Sequence, residues 1–137
     1  MDYLLDTNAC IALINRTPAP VRERLRKAVD SGAQVFTSSI VLFELWYGVG
    51  KSGRPQASAQ RVEVFLSGPV TVLAFDDSDS RVAGSIRAAL EASGKPIGAY
   101  DLLIAGQAIA QQLTLVTANV KEFSRVKGLK WEDWAKP

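Results

Sequence analysis

The 137-residue sequence contains no histidine, one cysteine and one methionine. The missing histidine excludes serine–histidine triads, histidine acid/base nucleases and histidine-ligated zinc. Any hydrolytic chemistry at neutral pH must then come from carboxylates, hydroxyls, lysines or the thiol, and carboxylates around a metal are the leading option. The lone Cys10 cannot form an internal disulfide, and its apolar surroundings predict a buried free thiol. The first residues, Met1 to Asp6, carry no basic leader, and no apolar run is long enough to span a membrane, so a cytoplasmic protein is expected. A net charge of +2 is too small to imply a nucleic-acid partner, but Arg16 to Lys27 holds five basic residues against Glu23 alone.

A hydrophobic content of 47% with 22% charged residues predicts one globular domain over residues 1–137. At this size folding buries roughly two-thirds of the chain's surface, enough for a core without disulfide or zinc staples. Tyr3-Leu4-Leu5 reads as a strand that ends at Asp6-Thr7-Asn8, a polar turn with a helix cap, before an apolar helix from Ala9. Pro18 and Pro20 break that helix, and Val21, Leu25, Ala28 and Val29 form one face of the next, which Gly32 stops. Val35-Phe36-Thr37 predicts a second strand, leading through Ser38-Ser39 into a buried helix over 40–48. Residues 50–58, rich in Gly, Ser and Pro, predict a loop, and Val62, Phe65 and Leu66 share a face of the helix after it. Val70 to Phe75 is the clearest strand, Asp76-Asp77-Ser78 caps a helix carrying Val82, Ile86 and Leu90, and Asp101 to Gln112 reads as a buried helix. Thr114 to Thr117 is a fourth strand, and the tail from Val120 reads as loop and short elements.

Short strands without polar alternation, separated by helices, predict a three-layer α/β/α sandwich around a mostly parallel sheet. Such sheets bind ligands at the carboxyl ends of their strands, where the winding reverses. Asp6, Glu44, Asp101, Asn119 and Glu122 all approach that edge if the strands run parallel. Each has a plain structural explanation to be weighed: Asp6 as a helix cap, Asp101 as a first-turn acid favoured by the helix dipole. Glu44, set among Val41, Leu42, Phe43, Leu45 and Trp46, is harder to explain that way. Asp76, Asp77 and Asp79 read as cap and dipole residues.

Two carboxylates about 4 Å apart repel by roughly 4 kcal/mol at an effective dielectric of 20. A third compounds that, against a domain stability of about 5 to 15 kcal/mol. A divalent cation that prefers oxygen, Mg²⁺ or Mn²⁺, compensates such a cluster and is suited to phosphodiester hydrolysis.

At these residues the sequence resembles the PIN-domain ribonucleases, most closely the VapC-type toxins of bacterial toxin–antitoxin pairs. Leu4-Leu5-Asp6-Thr7-Asn8 is similar to the family's opening strand and first metal ligand, and Ser38-Ser39-Ile40 through Phe43-Glu44-Leu45-Trp46-Tyr47-Gly48 to its second acidic motif. Ile97 to Ala105, around Asp101, is similar to the third. Leu115 to Asn119, Glu122-Phe123, Val126, Gly128-Leu129 and Glu132-Asp133-Trp134 resemble the closing segment. Four motifs in order, over nearly the whole chain, make the resemblance specific.

The resemblance implies an Mg²⁺- or Mn²⁺-dependent endoribonuclease toxin, with transfer RNA the favoured substrate, held inactive by a cognate VapB-type antitoxin and commonly dimeric. It implies Asp6 and Asp101 as metal ligands, Glu44 as ligand or water-orienting base, and Asn119 as an auxiliary catalytic residue. Thr7 and Asn8 would support the first turn and Thr117 an acid. Many members carry an acid where this chain has Asn119, and Glu122 is positioned to restore that charge. Trp46-Tyr47 would line the antitoxin groove, with core packing the alternative for Trp46. Arg16, Arg22, Arg24, Arg26, Lys27, Lys51 and Arg54 are candidates for a phosphate-binding rim, some being solvated helix face. The rivals are a catalytically silent PIN module that binds RNA or a partner, and a receiver-like Mg²⁺-binding signalling domain. The latter fits poorly, since one acid follows the first strand and no lysine follows Thr117.

Overall fold

The computed structural model describes residues 1–136. The chain runs β1 (Tyr3–Leu5), α1 (Thr7–Asn15), α2 (Ala19–Asp30), β2 (Val35–Ser38), α3 (Ser39–Lys51), α4 (Pro55–Leu66), β3 (Thr71–Leu73), α5 (Asp77–Ala92), α6 (Ala99–Ala110), β4 (Thr114–Val116), α7 (Val120–Phe123) and β5 (Trp131–Glu132). The strands form one sheet in the order β3-β2-β1-β4-β5, with every pairing parallel. Helices α1 to α4 pack among themselves and α5 against α6, so the sheet lies between helical layers. Successive β1 residues Leu4 and Leu5 point to opposite faces and both are fully buried, as a strand covered on both sides requires. None of the helices among the described residues is long and apolar enough to cross a membrane.

From β1 the chain winds outward through β2 to β3, then returns across β1 to place β4 on its other side. The reversal falls between β1 and β4, which fixes where a ligand crevice opens.

Several elements depart from their sequence-based expectation. Residues 50–58 are mostly helical: α3 continues to Lys51, and Pro55 stands at the start of α4, where its missing N–H costs nothing. The strand expected over 70–75 pairs only at Thr71–Leu73 and lies at the sheet edge. A fifth strand, Trp131–Glu132, emerges from the tail. Helix α6 starts at Ala99, putting Asp101 in its first turn. Thr7 and Asn8 are the first residues of α1, because Asp6 itself caps the helix. Helix α3 is buried on one side only: Val41 and Leu45 face the core, while Phe43, Trp46 and Tyr47 are exposed. Core packing is thereby overturned for Trp46. On α2, Val21 and Ala28 are buried but Val29 is exposed.

Cys10 is fully buried, its thiol donating to Thr37 Oγ1 at 3.3 Å, and burial pushes the thiol up to about 12. Asp76 and Asp79 form a reciprocal capping box on α5, and buried Asp79 also accepts from Gln111 Nε2 at 2.9 Å. These acids hold helices, as their position in the sequence implies.

Candidate active site at the carboxyl edge of the sheet

Strand register brings the first polar groups together. Leu5 lies opposite Val116 and Val116 opposite Glu132, so the next residues, Asp6, Thr117 and Asp133, leave three adjacent strands side by side. Backbone hydrogen bonds extend the ladder to this row: Asp6 N donates to Val116 O at 3.1 Å and Thr117 N to Glu132 O at 3.0 Å.

Asp6 is only 4% exposed, and its Oδ1 accepts from Ala9 N at 2.8 Å. The helix cap is therefore real, and it leaves the second carboxylate oxygen free of that duty. Burial raises the Asp6 carboxyl to about 6, with the charges of Glu44 and Asp133 adding to the rise; hydrogen bonds from Thr117 and the Ala9 amide oppose it. Thr117 is buried too, and its Oγ1 accepts from Asn119 N at 2.9 Å.

Glu44 reaches the same place from α3. Thr7 Oγ1 donates to Glu44 Oε1 at 2.6 Å, tying the first turn of α1 to an acid 37 residues away. This contact accounts for a charge on an otherwise apolar segment.

Asp101, Asn119 and Glu122 form the third group. Asn119 Nδ2 donates to Asp101 Oδ2 at 3.2 Å and to Glu122 Oε2 at 2.7 Å. The amide nitrogen, rather than the oxygen, faces the acids, since an oxygen there would add a third acceptor between two carboxylates. Asp101 is pushed up to about 7, first by burial, then by a hydrogen bond to Glu122 and by the charges of Glu122, Asp6 and Glu44. Glu122 is held below the usual carboxylate range by the bonds from Asn119 and Asp101. Asn119 bridges the two carboxylates, and their opposite shifts reflect how closely each faces the other.

Among the described residues, no three acids stand close enough together to form a ready-made ion cage. Asn119 bridges Asp101 and Glu122, Thr7 holds Glu44, and the charges of Asp6, Glu44 and Asp101 act on one another. The donor set suits a hard divalent cation: it is all carboxylate and amide, with no thiolate or imidazole. Asp6, Glu44, Asp101 and Glu122 are the residues able to hold one, since a cation would offset their charges as the Asn119 amide does in part.

Asn8 is exposed on α1, lining a cavity together with Thr117 and Asp133. The basic candidates do not form one rim. Arg24 is half-buried and paired with Glu132 at 3.4 Å. Arg16, Arg22 and Arg26 line a small open hollow beside Glu23, and Lys27 lies in the last turn of α2. Arg54 stands at the cap of α4, while the Lys51 ammonium lies 5.3 Å from the Tyr47 ring centre. Two residues escaped the sequence reading. Asp133 was noticed only within a closing motif, in a tail with no visible strand. Arg61 donates to Asn15 Oδ1 at 2.9 Å and lines the same hollow as Glu44. An isolated arginine on a helix carries no signal of that placement.

The PIN domain family matches residues 3–129. The chain belongs to the PIN-domain family. It is 42% identical over 135 residues to a tRNA(fMet)-specific endonuclease VapC of Shigella flexneri, covering 98% of this chain and 99% of that protein. It is 40% identical over 136 residues to ribonuclease VapC2 of Rickettsia felis, covering 99% and 100%. The crystal structure of VapBC2 from Rickettsia felis bound to a DNA fragment from their promoter superposes with a TM-score of 0.92 at 40% identity, over 98% of this chain and 99% of that one. The DNA-bound VapBC of Salmonella typhimurium gives 0.90 at 40% identity, over 98% of each chain. Membership of this family sets the receiver-like alternative aside.

Proposed function

We propose that the protein is a VapC-type endoribonuclease toxin, dependent on Mg²⁺ or Mn²⁺, that cuts transfer RNA and is neutralised by a VapB-type antitoxin. The observation that carries it is the convergence of Asp6, Glu44, Asp101 and Glu122 on one edge of the sheet, near enough for their charges to act on one another, in a chain without histidine. The names of the VapC relatives support RNA as substrate, and the VapBC complexes support the antitoxin as partner. Residues 1–137 act as one catalytic unit, and the cytoplasm, where translation runs, is the compartment this function requires.

When bound, a divalent ion supplies Lewis-acid stabilisation of phosphate charge and acidifies water. Asp6 and Asp101 would hold it, with Glu122 taking the acidic position that Asn119 leaves open. Glu44, oriented by the Thr7 hydroxyl, accepts the proton of the attacking water. Asn119 is a positioning residue that keeps Asp101 and Glu122 in register. Exposed Phe43, Trp46, Tyr47 and Tyr100, with Phe43 and Tyr100 rings 5.7 Å apart, offer an aromatic surface to the antitoxin or a second copy of the chain.

Protein freed of antitoxin should cleave RNA in Mg²⁺ or Mn²⁺, stop on chelation, and leave 5′-phosphate and 3′-hydroxyl ends. Cyclic phosphate ends, or cleavage indifferent to chelator, would overturn the mechanism, since both mean attack by the ribose hydroxyl. RNA that binds but is never cut would leave the catalytically silent module.

A further inference from the structure

A cavity of about 240 Å³ opens beside the acid edge, between α1, the start of α2 and the residues after β5. Ile11, Ala12, Pro18 and Val21 give it apolar walls, while Thr117 and Asp133 contribute polar lining. It is smaller than the roughly 300–1,000 Å³ of sites for drug-sized ligands, and so suits one flat group rather than a whole nucleotide.

Resting on the function proposed above, we propose that this cavity receives one unstacked base of the RNA, next to the bond that is cut, and that Asp133 selects a base edge carrying N–H donors, guanine best.

Position is the first argument. Thr117 lines the cavity directly after Val116, whose carbonyl accepts from Asp6 N at 3.1 Å, so a strand passing the acids runs close to the opening. Charge is the second. A carboxylate among apolar walls repels backbone phosphate but accepts donors, and guanine presents two, N1–H and the 2-amino group, on one edge. Asp133 is held for this: its Oδ1 accepts from Ala135 N at 2.9 Å. The neighbouring Glu132 is clamped by Arg24 and by Trp134 Nε1 at 2.9 Å, which fixes the backbone that carries Asp133. Shape is the third. Single-stranded RNA is read by splaying bases out against apolar or aromatic surfaces and hydrogen-bonding their edges, and Ile11, 40% exposed, supplies such a surface.

The test combines binding and cleavage. In a methyl-resolved NMR titration of the metal-free protein, guanosine should shift the Ile11, Ala12 and Val21 signals more than uridine does, and inorganic phosphate should leave them in place. Ala12→Phe, which fills the cavity, should abolish the shifts; Ile11→Ala, at an exposed position, should weaken them even if the larger substitution fails to fold. In cleavage of short RNAs, wild type should prefer guanine at one flanking position by about tenfold, the value of one well-matched base edge. Asp133→Asn should erase that preference, and a substrate lacking the base there should be cut equally by wild type and Ala12→Phe. Absence of base-dependent shifts overturns the proposal, as does a preference that survives both substitutions. Loss of antitoxin binding in Ala12→Phe with base preference intact assigns the cavity to the protein partner and also overturns it. If no RNA is cut under any condition, the nuclease function fails while the titration still decides the cavity.

Discussion

Asp101→Asn separates catalytic from structural roles at the acid edge. Asparagine can imitate the protonated acid already present: its Oδ1 can accept from Asn119 and its Nδ2 can donate to Glu122. The wild-type carboxyl is raised from 3.8 to about 7. An acid whose pKa is higher folded than unfolded binds more protons in the native state between those values, so stability falls as pH rises from about 4 to about 7 and is level above. At one pKa unit per about 1.4 kcal/mol, full conversion gives roughly 4 kcal/mol lost above pH 7. Solvent screening at this partly exposed group and the opposite shift of the neighbouring Glu122 reduce that to about 1–2 kcal/mol. In urea unfolding with chelator present, the variant should match wild type near pH 4 and exceed it by about 1–2 kcal/mol at pH 8. Its RNA cleavage should be lost throughout. Adding Mg²⁺ should stabilise wild type, by about 2.7 kcal/mol at a hundredfold excess over Kd, and the variant far less. A variant that is less stable at pH 8, or whose difference does not change with pH, would refute the electrostatic argument.

Thr7→Val removes the 2.6 Å bond to Glu44 while keeping shape; a hydrogen bond to a charged group is worth about 1.5–3 kcal/mol of stability, so the thermal midpoint should fall by several degrees in calorimetry, and single-turnover cleavage should fall about ten- to a hundredfold as Glu44 loses its orientation. Asn119→Asp replaces the bridging donor with a fifth carboxylate, so it should tighten Mg²⁺ binding and destabilise the metal-free protein; weaker Mg²⁺ affinity by titration calorimetry would rule this out. Gly106→Ala would set a Cβ 2.6 Å from that of Ala83, forcing α5 and α6 apart at a cost of about 1–3 kcal/mol, readable as a lower urea midpoint; an unchanged midpoint would contradict the packing.

The sheet and the position of its edge acids were readable because local signals agree. Tyr3-Leu4-Leu5 is apolar, Asp6 is a good cap, and the helix follows at once. Composition failed where one residue type serves two purposes: Pro55 marks a helix start as well as a loop, and residues 50–58 were misread for that reason. Strand β5 was invisible because two residues, Trp131 and Glu132, have no periodicity to detect. With it went the placement of Asp133, which depends on register with β4 rather than on neighbours in sequence. The exposed face of α3 was hidden for a related reason, since Phe43, Trp46 and Tyr47 look like core until the helix is rotated against its layer. The Thr7–Glu44 and Asn119–Asp101 bonds join segments far apart in the chain, and no local pattern announces either.

With its carboxyl raised to about 7 by burial and the neighbouring acids, Asp101 carries a proton at mildly acidic pH and makes the acid edge a small buffer. An arriving divalent ion competes with that proton and displaces it into the medium. The heat measured on titrating Mg²⁺ near pH 6.5 should therefore scale with the ionisation enthalpy of the buffer chosen, and the slope of that plot counts the hydrogen ions released.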